Sequence, residues 1–146
     1  NSQLKTIMGN HKISDDTGGA FMGCTALTSI NIPASVEIIG FWAFLDCYAL
    51  HTVTFQPNSR LKIITGSFWE CKSLTSIEIP ASIEILESTF VSCTSLKNVR
   101  FQANSQLRTI KSATFQSCPL EIIDASNGTG ASVKKREDTH TMYHLL

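Results

Sequence analysis

The sequence predicts an α/β repeat solenoid in which each coil contributes one short parallel strand and one short helical or 3₁₀ turn. Three observations lead to this prediction. A Phe-x-x-Cys motif recurs at a nearly constant interval, two unit types alternate between its copies, and short stretches within the units alternate polar and apolar residues. The 146 residues include 12 basic and 12 acidic side chains, and 42% of them are hydrophobic. This composition excludes an intrinsically disordered chain and provides no basic footprint for nucleic acid.

The Phe-x-x-Cys motif occurs five times and places every cysteine three residues after a phenylalanine. Successive phenylalanines are 23, 24, 22 and 25 residues apart. A single coil cannot bury its apolar face alone, so stacked coils must share one continuous core. We therefore expect the motif to supply a structural core ladder, with one pair in each coil: Phe21, Cys24, Phe44, Cys47, Phe68, Cys71, Phe90, Cys93, Phe115 and Cys118.

Two unit types alternate along the chain. One reads Ile-Pro-Ala-Ser-(Val/Ile)-Glu-Ile, at residues 32–38 and 79–85. The other reads Asn-Ser-x-Leu-(Lys/Arg)-x-Ile, at residues 1–7, 58–64 and 104–110. Because the types alternate, Phe21, Phe68 and Phe115 are separated by 47 residues twice, which indicates duplication of a two-coil unit.

The predicted strands lie at residues 28–32, 52–55, 75–79 and 98–101, where β-branched or aromatic residues alternate with polar ones. Pro33 and Pro80 come directly after their strands, where a missing N–H costs least. Identical units stacked in register bring the strands about 4.8 Å apart in a parallel sheet. The Phe-x-x-Cys segments come where the chain must turn back, so we expect a single helical or 3₁₀ turn there, on the convex side.

The repeats divide the chain into a solenoid of about five coils at residues 1–125 and a C-terminal tail at residues 126–146. Residues 8–19 read as a loop inserted into the first unit. Residue 1 falls in the middle of a repeat, and solenoids need caps at their ends. We therefore expect the chain to be a piece of a longer array.

One pattern identifies a family. Leu-x-x-Ile-x-Ile-Pro-x-x-Val-x-x-Ile, followed by Ala-Phe-x-x-Cys, spans residues 27–47 and resembles the BspA-type, or treponemal-type, leucine-rich repeat. The resemblance covers about residues 20–125. It implies a right-handed coil with the parallel sheet on the concave face, in a cell-surface or secreted protein of mucosal bacteria or protozoan parasites. The last unit departs from the pattern: Cys118-Pro119-Leu120 is one residue short, so the strand register there does not follow from the repeat.

The resemblance implies adhesion to extracellular-matrix proteins or host cells, and the outward side chains of the strands are the candidate binding surface. They vary between coils while the inward ones repeat, and Glu78 should neighbour Arg100 on the next strand. The partner is a protein or a glycan, bound weakly by one fragment. Neither a cofactor nor a metal is expected, and neither is membrane insertion. The candidate ligand-binding residues are Ser29, Asn31, His51, Thr52, Thr54, Ser76, Glu78, Lys97, Asn98 and Arg100.

The cysteines are predicted to be buried thiols that pack as small hydrophobic side chains. Their spacing is the repeat period, not that of metal ligands, and an odd count fits poorly with a disulfide framework. Three further candidate sites are weaker, because the surrounding sequence supplies no additional ligands or context for them. They are a His pair at His140 and His144, a possible cation site at His11 with Asp15 and Asp16, and a glycosylation sequon at Asn127.

Two functional classes remain open. The first is a non-catalytic interaction module of an adhesin-like surface or secreted protein. The second is an intracellular structural or scaffolding repeat, which unpaired cysteines favour. An enzyme is not expected, because the sequence contains no phosphate loop, no nucleophile elbow and no convergent acid–base pair.

Overall fold

The computed structural model describes residues 6–7, 19–111, 113–124, 133–135 and 143–145. The predicted loop at residues 8–19 lies outside these residues except for Gly19. The tail at residues 126–146 is described only where its backbone forms two short strands.

The parallel-strand solenoid that the repeats predict is confirmed, and each coil contributes two strands. Four of the even-numbered strands are the predicted ones: β2 (Ser29–Ile32), β4 (Thr52–Phe55), β6 (Ser76–Ile79) and β8 (Asn98–Phe101). The fifth, β10 (Ile122–Asp124), was not predicted. The odd-numbered strands were not predicted: β1 (Thr6–Ile7), β3 (Ile38–Ile39), β5 (Ile63–Thr65), β7 (Ile85–Glu87) and β9 (Thr109–Ile110).

The odd-numbered strands form one continuous parallel sheet in the order β1-β3-β5-β7-β9, here called the odd-strand sheet. The even-numbered strands form the even-strand layer, which consists of two sheets, β2-β4 and β6-β8-β10. Strand β6 lies beside β4, but no ladder joins the two in the described part of the chain.

Proline accounts for part of this interruption. After β4 and β8, the backbone N–H groups of Gln56 and Gln102 donate to the carbonyl oxygens of Ile32 and Ile79, each at 3.0 Å. Pro80 occupies the same place after β6 and has no N–H to donate to the preceding coil. The coil that contains Pro80 therefore lacks one backbone hydrogen bond to the coil before it.

The prediction of a helical or 3₁₀ turn at each Phe-x-x-Cys segment is wrong. The α/β fold class is therefore also wrong, and the described part of the chain is a β-solenoid. None of the described residues is helical; the segments are hydrogen-bonded turns. The backbone N–H groups of Phe44 and Asp46 donate across to the next coil, to the carbonyl oxygens of Ser67 (2.9 Å) and Trp69 (3.1 Å). A helix would need those donors within its own turn.

Left-handed backbone conformations produce this arrangement. The residue directly before each cysteine has a positive φ in all five copies, and such a residue ends a right-handed turn. These residues are Gly23 (71°), Asp46 (60°), Glu70 (60°), Ser92 (58°) and Ser117 (61°).

The core lies between the two strand layers and the turns. Consecutive phenylalanine rings of the five coils stack with centroids 5.1, 4.9, 5.6 and 5.6 Å apart. Buried hydroxyl groups just before the rings bond to backbone: the Ser67 hydroxyl donates to the carbonyl oxygen of Gly40 at 2.9 Å, and that of Thr89 to Ile64 at 3.0 Å. The buried polar groups of this position are therefore satisfied.

The chain ends in an antiparallel pair of strands, β11 (Val133–Lys135) and β12 (Tyr143–Leu145). Strand β12 lies near β9, at the end of the odd-strand sheet. The backbone of the tail thus meets the last coil.

Candidate functional site

The candidate site is the strand face, defined as the outward side of the even-strand layer. Side chains alternate along each strand, so the apolar residues of β6 point into the core while Ser76 and Glu78 point outward. Of the ten candidate ligand-binding residues, nine are exposed and Asn98 is half-buried. The fold therefore brings all ten to one surface.

The first half of the strand face is uncharged. Strands β2 and β4 pair so that Ser29 lies beside Thr52, and Asn31 beside Thr54. The Thr54 hydroxyl donates to Oδ1 of Asn31 at 3.1 Å, and Nδ1 of His51 lies 2.8 Å from the Thr52 hydroxyl. Hydroxyl, amide and imidazole groups make up this half.

The second half of the strand face is charged. The register places Glu78 on β6 beside Arg100 on β8, and Arg100 beside Asp124 on β10. No ion pair joins Glu78 to Arg100 among the described residues. At the border, Lys97 pairs with Glu121 at 2.8 Å, and the hydrogen bond and charge of that carboxylate raise the pKa of Lys97.

A shallow hollow of about 450 Å³ opens on this charged half. Its lining combines both charges, a hydroxyl, an amide and the edge of an exposed isoleucine: Ser76, Ile77, Glu78, Asn98, Arg100 and Ile122.

Sequence reasoning missed the contribution of β10, which supplies Ile122 and Asp124, and of Glu121 directly before it. The shortened unit at Cys118-Pro119-Leu120 left the register undefined. The alternation of Glu121 to Asp124 around inward-facing Ile123 was the available signal, but it is too short to set a register by itself.

The thiols of Cys47, Cys71 and Cys93 are buried in the core and that of Cys118 is half-buried, whereas the predicted burial is wrong for Cys24, which lies exposed in the first coil. The Cys47 thiol donates to the carbonyl oxygen of Phe21 at 3.1 Å, and Cys71, Cys93 and Cys118 repeat this bond one coil further on each time. All five cysteines are free. Burial, followed by repulsion from the Cys71 and Cys24 thiols, raises the pKa of Cys47 to about 12, so this thiol is a poor nucleophile.

The weaker candidate sites fall elsewhere. Residues His11, Asp15, Asp16, Asn127 and His140 lie outside the described residues, and His144 is described only as backbone within β12. Within the described ranges, no group of His, Cys, Asp and Glu is placed to hold a metal ion. No helix in those ranges is long and apolar enough to cross a membrane.

Parallel strands stacked coil by coil, an apolar ladder inside and a variable polar strand face define a leucine-rich repeat protein. Residues 13–134 match the BspA type leucine rich repeat region in six copies. The chain belongs to the BspA-type leucine-rich repeat family, and the resemblance seen in the sequence is confirmed.

Two solved structures are similar to the chain. The pneumococcal vaccine antigen PcpA matches with a TM-score of 0.55 and 25% identity, over 80% of this chain and 27% of that one. A leucine-rich cell surface protein from Faecalibacterium prausnitzii matches with a TM-score of 0.37 and 22% identity, over 82% of this chain and 45% of that one. The chain therefore spans less than half the length of either.

A short segment has a different likeness. Over 22 residues, 15% of the chain, it is 91% identical to the small ribosomal subunit protein uS7 of Mycoplasmoides gallisepticum and to that of Limosilactobacillus reuteri. The match covers 14% of each ribosomal protein, so the chain spans only a small part of these relatives.

Proposed function

We propose that the chain is a non-catalytic interaction module that binds a protein partner through its strand face. It is part of an adhesin-like protein that is secreted or displayed at the cell surface. The observation that carries the proposal is the contrast between the two sides of each even-numbered strand. The inward side repeats Ile or Val, as at Ile77 and Val99, whereas the outward side changes from uncharged to charged along the solenoid. The outward side is not constrained by packing, so its residues are free to differ between coils and to match a partner.

The chemistry of the strand face favours a protein over a glycan. None of the ten candidate residues is Trp, Tyr or Phe, the side chains whose rings stack on sugars. The face instead offers hydroxyl, amide and charged groups at its two halves. A protein segment provides matching donors, acceptors and charges.

Placement at the cell surface is supported by the likeness to a pneumococcal vaccine antigen. The alternative is an intracellular scaffold that uses the same strand face. It is favoured by the five free cysteines, which are typical of reducing compartments.

Antibody labelling of intact source cells, with permeabilised cells as the control, separates the two. Labelling of intact cells supports the adhesin. Labelling only after permeabilisation contradicts it and directs the search to cytosolic partners.

The use of the strand face is tested by matched charge reversals. Arg100→Glu changes the strand face, whereas Arg108→Glu changes an exposed arginine that precedes β9 in the odd-strand sheet. We expect Arg100→Glu to weaken adhesion of the purified chain to an extracellular-matrix preparation and to intact epithelial cells, while Arg108→Glu leaves it unchanged. Equal effects of the two substitutions would contradict a specific role for the strand face.

A further inference from the structure

Charged side chains of the solenoid have partners almost everywhere. Lys62 lies 3.0 Å from Glu84, and Lys111 lies 3.0 Å from Glu87, and each of these ion pairs joins two neighbouring coils. Among the described residues from 19 to 124, all other charged side chains except two also have an ion pair, a hydrogen bond or another electrostatic contact. A charged side chain without a partner is therefore unusual in this part of the chain.

The two exceptions are Glu78 and Arg100, and they are neighbours. Neither side chain makes an ion pair or a hydrogen bond within the described ranges, not even with the other. The register places them side by side on β6 and β8, whose backbones lie about 4.8 Å apart as strands of one sheet. Asp124 on β10 has an interaction of its own and is not one of the free charges. The strand face thus presents one free acid beside one free base.

Both free charges line the shallow hollow on the charged half of the strand face. Ser76 and Asn98 add a hydroxyl and an amide to its lining, and Ile122, which is 48% exposed, adds an apolar edge. A ligand with a single charge could satisfy only one of the two charged groups. A ligand that carries both charges could satisfy both, and an exposed acid–base pair on the face itself would oppose it little.

We propose that this hollow receives an acidic and a basic side chain that lie next to each other on the protein partner. The inference rests on the proposed function and names the chemistry that the strand face recognises. The partner's carboxylate accepts two parallel hydrogen bonds from the Arg100 guanidinium, and its lysine or arginine donates to the Glu78 carboxylate. On a helix, an acid and a base four residues apart have Cβ atoms about 5–6 Å apart, which is close to the spacing of β6 and β8.

The test follows the backbone amides of the isotope-labelled chain by NMR while three tripeptides, blocked at both ends, are added. The peptide Glu-Gly-Lys carries both charges, Gln-Gly-Lys carries only the basic one, and Glu-Gly-Gln carries only the acidic one. We expect the shifts to fall on amides of β6, β8 and β10. The two-charge peptide should bind about two- to five-fold more tightly than either of the others, as expected for one additional exposed charge pair.

Variants assign each charge of the peptide to one residue of the hollow. With Glu78→Gln, the basic residue of the peptide should no longer matter, so Glu-Gly-Lys and Glu-Gly-Gln should bind equally. With Arg100→Gln, the acidic residue should no longer matter, so Glu-Gly-Lys and Gln-Gly-Lys should bind equally. Arg108→Gln is the control, because Arg108 pairs with Glu84 outside the hollow, and it should keep the preference for two charges. Unchanged amide spectra elsewhere show that the variants fold.

The inference is overturned if either single-charge peptide binds as tightly as the two-charge peptide, or if no peptide shifts the amides of these strands. If Arg100→Glu weakens cell adhesion but the three peptides bind equally, the inference fails and the strand face stands as the interaction surface. If the preference for two charges holds but Arg100→Glu leaves cell adhesion unchanged, the proposed function fails and the site for an acid–base pair stands.

Discussion

The Cys93 thiol donates a hydrogen bond to the carbonyl oxygen of Phe68, 3.0 Å away in the preceding coil. Both residues are fully buried. The bond recurs from coil to coil and explains why the position holds cysteine: the side chain must be small and apolar, yet still able to donate.

Replacing this donor should destabilise the solenoid. Cys93→Val keeps an apolar side chain of similar size but leaves the Phe68 carbonyl without the thiol, at an expected cost of about 1–3 kcal/mol in the free energy of unfolding. Urea unfolding followed by circular dichroism measures it. Cys24→Val is the control, because Cys24 is exposed and should change stability by less than about 0.5 kcal/mol. Equal losses at the two positions would show that the hydrogen bond is unimportant.

The aromatic ladder gives a graded prediction. The Phe68 ring is stacked between those of Phe44 and Phe90, and Phe68→Ala should cost about 3–5 kcal/mol through the cavity it leaves. Phe21 is only half-buried, so Phe21→Ala should cost clearly less. Thermal unfolding of both variants tests the order, and a reversed order would contradict cooperative stacking along the ladder.

Alkaline pH should weaken the fold through Cys47. Burial raises the pKa of this thiol from 9.0 to about 12, so the unfolded chain ionises first. The thiol's contribution is present below pH 9 and is lost as the pH rises towards 12, at about 1.4 kcal/mol per pH unit. Between about pH 8 and about pH 10.5, Cys47→Ala should show a smaller loss of unfolding free energy than the unchanged chain. Parallel pH profiles for the two proteins would refute this cause.

Backbone conformation gives a contrasting pair of serine-to-glycine substitutions. Ser92 has a φ of 58°, where a side chain costs about 1–2 kcal/mol, so Ser92→Gly should stabilise the chain by about 0.5–1 kcal/mol after glycine's own entropy cost. Ser73 does not have a positive φ, and Ser73→Gly should destabilise by about 0.5–1 kcal/mol. Melting temperatures should move in opposite directions, and a shared direction would contradict the argument.

The sequence predicted the structure best at positions where every coil must place an apolar side chain in the core. Phe and Ile positions recur because each must meet its copy in the next coil, so the parallel stack and the outward columns of β2 to β8 could be predicted. The odd-numbered strands could not, because Ile38–Ile39 is too short to show an alternation. The turns were misread because the left-handed position before each cysteine holds Gly, Asp, Glu or Ser, a mixture that does not indicate this conformation.

The candidate site was predicted in part, for a related reason. The outward positions of β6 and β8 follow from alternation, so Glu78 and Arg100 could be placed side by side. Asp124 and Ile122 could not, because one missing residue shifts every following side chain to the opposite face. The hollow depends on Ile122 of β10, and it therefore required the structure.

The proline at the end of β6 also affects how the array responds to bending. The odd-strand sheet runs unbroken past β4 and β6, while the even-strand layer is divided there. We expect bending to open the even-strand layer between β4 and β6, because the continuous hydrogen bonds of the odd-strand sheet resist separation on the other side. In an array of this two-coil unit, the interruption would recur about every 47 residues. The two-coil units between interruptions could then tilt relative to one another and follow an uneven partner surface.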